Sequence, residues 1–434
     1  MMNKRLLMIS VILVVFLSAV STSARDIDWR AYKGTQINVQ LAQQPWADFI
    51  KGEIKEFEAL TGIRVNLSIL PEDQHRQRLA VSFASGRGDV DVFASQKHNE
   101  GVRYLMSGWY EPLEPFLNNP LLTPKDFDFE DFASLTITDA TVEGVLVGIP
   151  LYSEVQIVYY NKALFAKAGI NVPDTLEELK NAAILLTDRK KGVYGITLRG
   201  RGAAATTIFS GFLHSMGGSW ADSDRNPMLN TPEAIKAFEF YAELIQLAGP
   251  PGSVNNHWFQ CQSLMASGKA ALWIDSNIFA ATLLESDLAN DIGFAVFPEG
   301  PGGRKPAGGG WYLSIAPSSK KQKAAWYFIQ WALNKENVLK AQLNGIPTAR
   351  VSAWEAPQFK ELDRTPELTK ATLETLQLEG TPSWGPPWVA VGEIRDVIGE
   401  AIVTAIQGGD IRSVADSVVE RIQIIRDNTE KDLQ

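Results

Sequence analysis

Residues 149–179 read IPLYSEVQIVYYNKALFAKAGINVPDTLEEL, and this stretch decides the fold. Ile149 and Pro150 open it, and a polar patch with Ser153 and Glu154 follows. Ile157, Val158, Tyr159 and Tyr160 then form a run of branched and aromatic side chains suited to a strand. Asn161 stands where a side-chain oxygen caps a short helix over 162–168, and Gly169 ends that helix. Thr175 and Glu178 make a capping-box pattern, so a second helix begins after Thr175. The stretch is a strand followed by two capped helices.

Upstream, Ile37, Val39 and Leu41 alternate as in a half-buried strand. Ile50, Ile54, Phe57 and Leu60 recur at helical spacing, and Thr61-Gly62 stops that helix. Val65, Leu67 and Ile69 alternate again. A strand–helix–strand unit of this kind begins an open α/β sheet, whose ligands sit beyond the carboxyl ends of the strands. Trp46 follows the first strand at that end. A helix over 74–84 and a strand over 90–94 extend the sheet.

Downstream, residues 195–218 are rich in glycine and small side chains and lead into Ser219-Trp220. Thr231 caps a helix that opens on Pro232-Glu233 and runs to about Leu247. A helix end and a strand follow over 268–274, with Asp275 directly at the strand's carboxyl end. Residues 300–310 read as a flexible loop, and Gly308-Gly309-Gly310-Trp311 precedes a strand over 312–316. Residues 318–334 read as one helix with Ala325, Trp326, Ile329 and Leu333 on a single face. No internal repeat is present.

These elements, in this order, resemble the family 1 extracellular solute-binding proteins, the cluster B, maltodextrin-receptor-like receptors of bacterial ABC importers. The resemblance rests on Tyr159-Tyr160-Asn161 with the Phe165…Gly169…Pro173…Thr175…Leu179 pattern behind it. Phe57…Thr61-Gly62-Ile63, the ASGRGDVDVF run over 84–93, Gly268-Lys269-Ala270-Ala271 and the AAW run over 324–326 add to it, as does Gly345-Ile346-Pro347. It covers nearly all of the chain after the first 24 residues. It implies an α/β architecture of the two-lobe periplasmic-binding-protein type II fold, each lobe a mixed sheet flanked by helices, with a ligand cleft between them. Crossings are expected near 153–155, 297–299 and 334–339. The first lobe would then be 25–153 plus 298–336, and the second 154–297 plus 337–434. Such hinges let two rigid lobes close around a ligand, and the closed form is what a permease recognises.

The N-terminus fits export. Asn3-Lys4-Arg5 is basic, residues 6–20 are apolar apart from two serines, and Ser21-Thr22-Ser23-Ala24 supplies a small-residue cleavage site. The apolar run is short for a membrane span. The single cysteine, Cys261, is far from that site, so a lipid anchor and a disulfide framework are both unexpected. Residues 1–24 contain Lys4 and Arg5 and no acid, so their removal takes the formal net charge from −9 to −11. An acidic, mixed-charge surface excludes the basic stripe of a nucleic-acid binder. A soluble periplasmic monomer is expected.

Candidate site residues follow from the resemblance and from side-chain chemistry. Glu154 falls where sugar-binding members of the family carry a glutamate beside the hinge, and a carboxylate accepts two hydroxyl hydrogen bonds. Its plain alternative is a hinge carboxylate bonded to backbone amides. The chain has twelve tryptophans. Among them Trp46, Trp220, Trp311 and Trp384 sit in loops or at strand ends, where an indole can cover the C–H face of a sugar. The alternative for each is a plug over the core. Trp388 is read as structural. Gly310 accompanies Trp311. Asp275 at a strand end is a ligand carboxylate or a helix cap. Tyr152 and Gln96 follow the same logic, and Arg350 is a hydroxyl donor or a surface ion pair. Asp89 and Asp91 are read as structural.

Other chemistries lack their residues. The four histidines, His75, His98, His214 and His257, show no metal-ligand spacing, and no cofactor motif is present. Gly217-Gly218-Ser219-Trp220-Ala221 is not a nucleophile elbow, and Ser267-Gly268-Lys269-Ala270 is not a phosphate loop. The expected function is capture of a carbohydrate (monosaccharide, sugar alcohol, amino sugar or short oligosaccharide) without catalysis, and delivery to an inner-membrane permease. Two alternatives stand beside it. One is a receptor for a phosphate ester such as glycerol-phosphate, which would want clustered basic side chains. The other is a carbohydrate-active enzyme using Glu154 and Asp275 as paired carboxylates.

Overall fold

The computed structural model describes residues 27–378 and 380–431. The expected signal segment, 1–24, lies outside the described residues. The strands of the main sheet are β1 (Gln36–Ala42), β2 (Arg64–Leu70), β3 (Val92–Ser95), β4 (Ile149–Asn161), β5 (Leu272–Ser276), β6 (Ile292–Val296) and β7 (Gly308–Ile315). Their order is β2-β1-β3-β7-β4-β5, with β6 also on β4. β1 pairs parallel with β2 and β3, and β7 lies antiparallel between β3 and β4.

β4 serves two sheets. Ile149 to Val155 pair with β7 in the first lobe, whereas Gln156 to Asn161 lie between β5 and β6 in the second. The passage between lobes therefore falls inside one strand, at Val155-Gln156. Gln156 is fully buried there, and both ends of its amide are satisfied: Nε2 donates to the Ile208 carbonyl, and Oε1 accepts from the Ala307 amide. The local signals around β4 act as read. Asn161 accepts from the Leu164 amide, and the Thr175–Glu178 capping box closes in both directions.

The first core packs β1, β3, β7 and the helix Gln322–Ala332, with Trp326, Phe328 and Ile329 inside. In the second lobe both faces of the sheet are covered. Val158 joins one core, while Ile157 and Tyr159 join the other, because successive residues of a strand point to opposite faces. Such double burial explains why this part of β4 is apolar without alternation.

Three expectations change. The last three glycines of the supposed loop over 300–310, Gly308 to Gly310, begin β7 instead. A Cβ on Gly310 would lie 2.2 Å from the Tyr152 carbonyl oxygen, so glycine is what lets the two strands approach. The helix expected over 318–334 ends at Ala332. Asn334 caps a separate helix, Lys335–Leu343, by accepting from the Asn337 amide. Ala341, Ile346 and Ala349 still pack in the first core, so the change of core comes after Ala349 and not at 334–339.

Candidate functional site

The lobes enclose a cleft of about 840 Å³. From the first lobe, the carboxyl end of β1 supplies Gln44, and that of β3 supplies Gln96, His98 and Asn99. The helix Glu72–Ser85 contributes Glu72 and Arg76, one turn apart. Tyr152 and Glu154 come from β4, and Trp311 from β7, where it pairs directly with Tyr152. The alternation of β4 points Tyr152 and Glu154 to the same face, toward the cleft. From the second lobe come Arg199, Thr207, Trp258, Phe279, Trp384 and Arg395.

Charge in the cleft is mostly paired. Arg76 donates to Glu72 at 3.2 Å, to Glu100 at 3.0 Å and to Gln96 Oε1 at 2.9 Å, and lies 5.6 Å from the Trp311 ring centre. Arg199 forks onto Asp275 at 2.8 and 2.5 Å. Glu154 is different. Its carboxylate accepts from Ser276 Oγ at 3.4 Å, and its pKa is pushed up to about 7 by burial first and then by Glu72, against the pull of Arg199 and a hydrogen bond from Tyr152. His98 is held neutral: burial and the charges of Arg395, Arg76 and Arg199 push its pKa well below the usual range.

Several buried polar atoms on the cleft wall have no protein partner among the described residues. They are both amide atoms of Gln44, His98 Nδ1, Trp384 Nε1 and Arg395 Nε. A buried donor or acceptor left unsatisfied is costly, so each of these atoms would gain from a bond to a polar ligand or to water. Aromatic surface stands beside them. Trp258 stacks on Phe279 at 4.9 Å between centroids and 12° between planes, and Phe279 stacks in turn on Trp273 at 5.6 Å. Polar atoms at the rim of flat apolar faces suit a polyhydroxylated carbon chain or ring.

Of the residues singled out from sequence, the structure brings Glu154, Trp311, Trp384, Tyr152 and Gln96 to the cleft wall. The other five lie elsewhere. Trp46 is on the inner face of the helix Pro45–Thr61 with Ile50 and Phe57, fully buried in the first core. Trp220 is buried in the second core, edge-on to Phe209. Asp275 lies beneath the wall, occupied by Arg199 and the Ser276 amide. Gly310 is backbone support, its amide donating to Asp139 at 3.0 Å. Arg350 is fully buried away from the cleft. It donates to the carbonyls of Leu333, Asp128 and Phe127 and pairs with Asp131. Trp388 and Asp91 are structural: the indole donates to the Arg225 carbonyl, and the carboxylate accepts from the Asn38 amide and Ser319.

The sequence reading missed Gln44, Glu72, Arg76, Arg199, Trp258 and Arg395. Glu72 and Arg76 resemble an ordinary i, i+4 surface pair. Arg395 sits on an amphipathic helix, Val391–Ile406, where a lone arginine reads as solvent-facing.

Two lobes joined by a shared strand, with unsatisfied polar atoms and aromatic faces in the cleft between them, define a ligand-binding protein. Residues 43–338 match the bacterial extracellular solute-binding protein family, and the chain belongs to that family. It is 32% identical over 341 residues to the erythritol/L-threitol-binding protein of Mycolicibacterium smegmatis, covering 74% of this chain and 71% of that one. It is 28% identical over 380 residues to the mannitol-binding protein of Pseudomonas aeruginosa, covering 81% and 83% of the two chains. In structure it is similar to a ribitol complex of an ABC transporter solute-binding protein from Agrobacterium radiobacter. The TM-score is 0.78 at 23% identity, over 91% of this chain and 99% of that one. A D-mannitol complex from Agrobacterium vitis gives 0.72 at 26% identity, over 92% and 99%. Among the described residues no helix is long and apolar enough to cross a membrane.

Proposed function

We propose that this protein is the periplasmic receptor of an ABC importer for a carbohydrate, with a sugar alcohol as the first class to test. The observation that carries the reading is the set of unpartnered polar atoms on side chains that line the same cleft as Glu154. Each hydroxyl both donates and accepts, so a polyol can meet the Gln44 amide, the Trp384 and Arg395 donors and the Glu154 carboxylate together. The polyol names of the two relatives support the same class. Trp311, Trp258 and Trp384 would cover the carbon chain or ring.

The receptor leaves the cell interior by cleavage after Ala24, carries no lipid, acts as a monomer and hands its ligand to a permease. Within the described residues the first lobe takes 27–155 and 308–349, and the second takes 156–307 and the residues after 349. No catalytic step is assigned. The engagement of Asp275 by Arg199 beneath the wall speaks against the carboxylate pair considered from sequence.

The test is a thermal-shift screen of erythritol, L-threitol, ribitol, D-mannitol, common sugars and glycerol-phosphate, followed by calorimetry. A ligand that binds the folded state alone raises the melting temperature by mass action. A shift with polyols or sugars is the expected result. A shift with glycerol-phosphate alone, or hydrolysis of an added oligosaccharide, would replace this reading.

A further inference from the structure

Among the described residues three guanidinium groups line the cleft, and one of them, Arg395, makes no ion pair with a carboxylate. Arg76 is bound to Glu72 and Glu100, and Arg199 to Asp275. Arg395 uses neutral partners. Nη2 donates to the Ala203 carbonyl at 3.1 Å and to Thr207 Oγ1 at 2.8 Å, both on its own lobe. Nη1 donates to Asn99 Oδ1 at 3.0 Å, on the opposite lobe. Nε is buried, lacks a partner among the described residues and belongs to a cleft-lining side chain.

Asn99 is itself held in place. Its Nδ2 donates to Gln96 Oε1, the same oxygen that accepts from Arg76. It lies in a π-helical turn, Lys97–Gly101, whose Glu100 accepts from the Gln96 amide. The bond from Arg395 to Asn99 therefore ends on a braced element and not on a free side chain.

We propose that Arg395 is a ligand-binding residue that also clasps the lobes, donating through Nε to a ligand oxygen and through Nη1 to Asn99, so that one planar group ties occupancy to closure. A guanidinium suits this because its five N–H donors are fixed in one plane, so a contact at Nε orients the bond at Nη1. Lysine retains the charge and loses the geometry. A buried N–H without a partner gains from any accepting oxygen, and a polyol hydroxyl supplies one. The inference rests on the polyol reading for the identity of the ligand, and on the structure alone for the clasp.

A second bond across the lobes gives the control. Arg225 Nη1 pairs with Glu143 at 3.2 Å, and neither residue lines the cleft. The experiment compares wild type, Arg395→Lys, Asn99→Ala and Arg225→Ala in the full-length mature protein. Calorimetry with erythritol, ribitol and D-mannitol reads affinity, spin labels on the two lobes read their separation, and melting curves check the fold. Arg395→Lys should weaken binding at least tenfold and widen the ligand-free distance distribution. Asn99→Ala should widen it similarly with a smaller loss of affinity, and Arg225→Ala should change affinity less than threefold. Equal losses in Arg395→Lys and Asn99→Ala would reduce Arg395 to a clasp and overturn the ligand contact. Wild-type affinity in a folded Arg395→Lys would overturn the proposal entirely. If wild type binds none of the three polyols, the polyol reading fails, and the distances decide the clasp: an unchanged distribution in Asn99→Ala removes it.

Discussion

Glu154 is a carboxyl group placed where its charged form is least stable, buried and near Glu72, with its pKa raised to about 7. Its effect on stability has a definite sign. Because the folded pKa lies above the ordinary 4.5, the folded state binds the extra proton, so this group's contribution falls as pH rises from about 4.5 to about 7. Glu154→Gln should therefore raise the melting temperature relative to wild type, and by more at pH 8 than at pH 5. Asp139, also raised to about 7 by burial, repels Glu154, so part of that difference reads the coupling of the two carboxyl groups. Polyol hydroxyls would favour the carboxylate, so affinity should climb as pH rises toward 7, and binding near pH 6 should release a proton. Calorimetry in buffers of different ionisation enthalpy measures that release. Glu154→Gln should weaken binding by about tenfold or more, since a hydrogen bond to a charged group contributes about 1.5–3 kcal/mol. A stabler protein that binds poorly is the expected outcome.

The tryptophans divide at the same scale. Trp220→Ala should destabilise the fold by about 3–5 kcal/mol and leave the affinity of folded molecules intact, because the ring fills the second core. Trp311 is buried in the first core and also borders the cleft beneath Arg76. Trp311→Ala should lower both stability and affinity. Denaturant melts and calorimetry on the two mutants separate these cases. Sequence could not separate them: each tryptophan follows glycine or serine near a strand or helix end, and that local context is the same for a plug and a platform.

At the scale of elements, the pairing of β4 with β7 sets the position of the site. Ser153 faces Gly310 and Glu154 faces Gly309, so a change in this ladder moves Glu154 and Tyr152 together. Gly310→Ala should break the ladder locally, since the new methyl would meet the Tyr152 carbonyl oxygen. A lower melting temperature together with lost polyol binding is expected, read by circular dichroism and calorimetry. The glycine run was legible in the sequence as glycine, but its reason was not. A flexible loop and a tight strand approach demand the same residue, and only the identity of the neighbouring strand tells them apart.

At the scale of the whole molecule, lobe closure is the expected response to ligand. Small-angle scattering should show a smaller radius of gyration when a bound polyol is present, and tryptophan fluorescence should change as the half-buried Trp258 loses water. Ligand at about a hundredfold over Kd should add about 2.7 kcal/mol to the unfolding free energy, read as a higher melting temperature. A radius unchanged at saturation would mean that binding occurs without closure.

The sequence alone determined the family and the strand–helix order, and it singled out Glu154 and Tyr152, which both lie on the cleft wall. Those features are local: caps, alternation and short motifs act over a few residues and are written contiguously. The third change of core, after Ala349, depends on packing and moved from where local reading placed it. Most of the site was decided by tertiary structure. Gln44, Arg76, Arg199, Trp258 and Arg395 are scattered along the chain, and each looks like a surface or core residue in its own segment. Whether an arginine is satisfied by a carboxylate, as Arg199 is by Asp275, or left with a free N–H in a cleft, as Arg395 is, depends on which distant residues fold against it. Hydrogen-bond satisfaction is a property of three-dimensional neighbours, and no spacing along a chain encodes it.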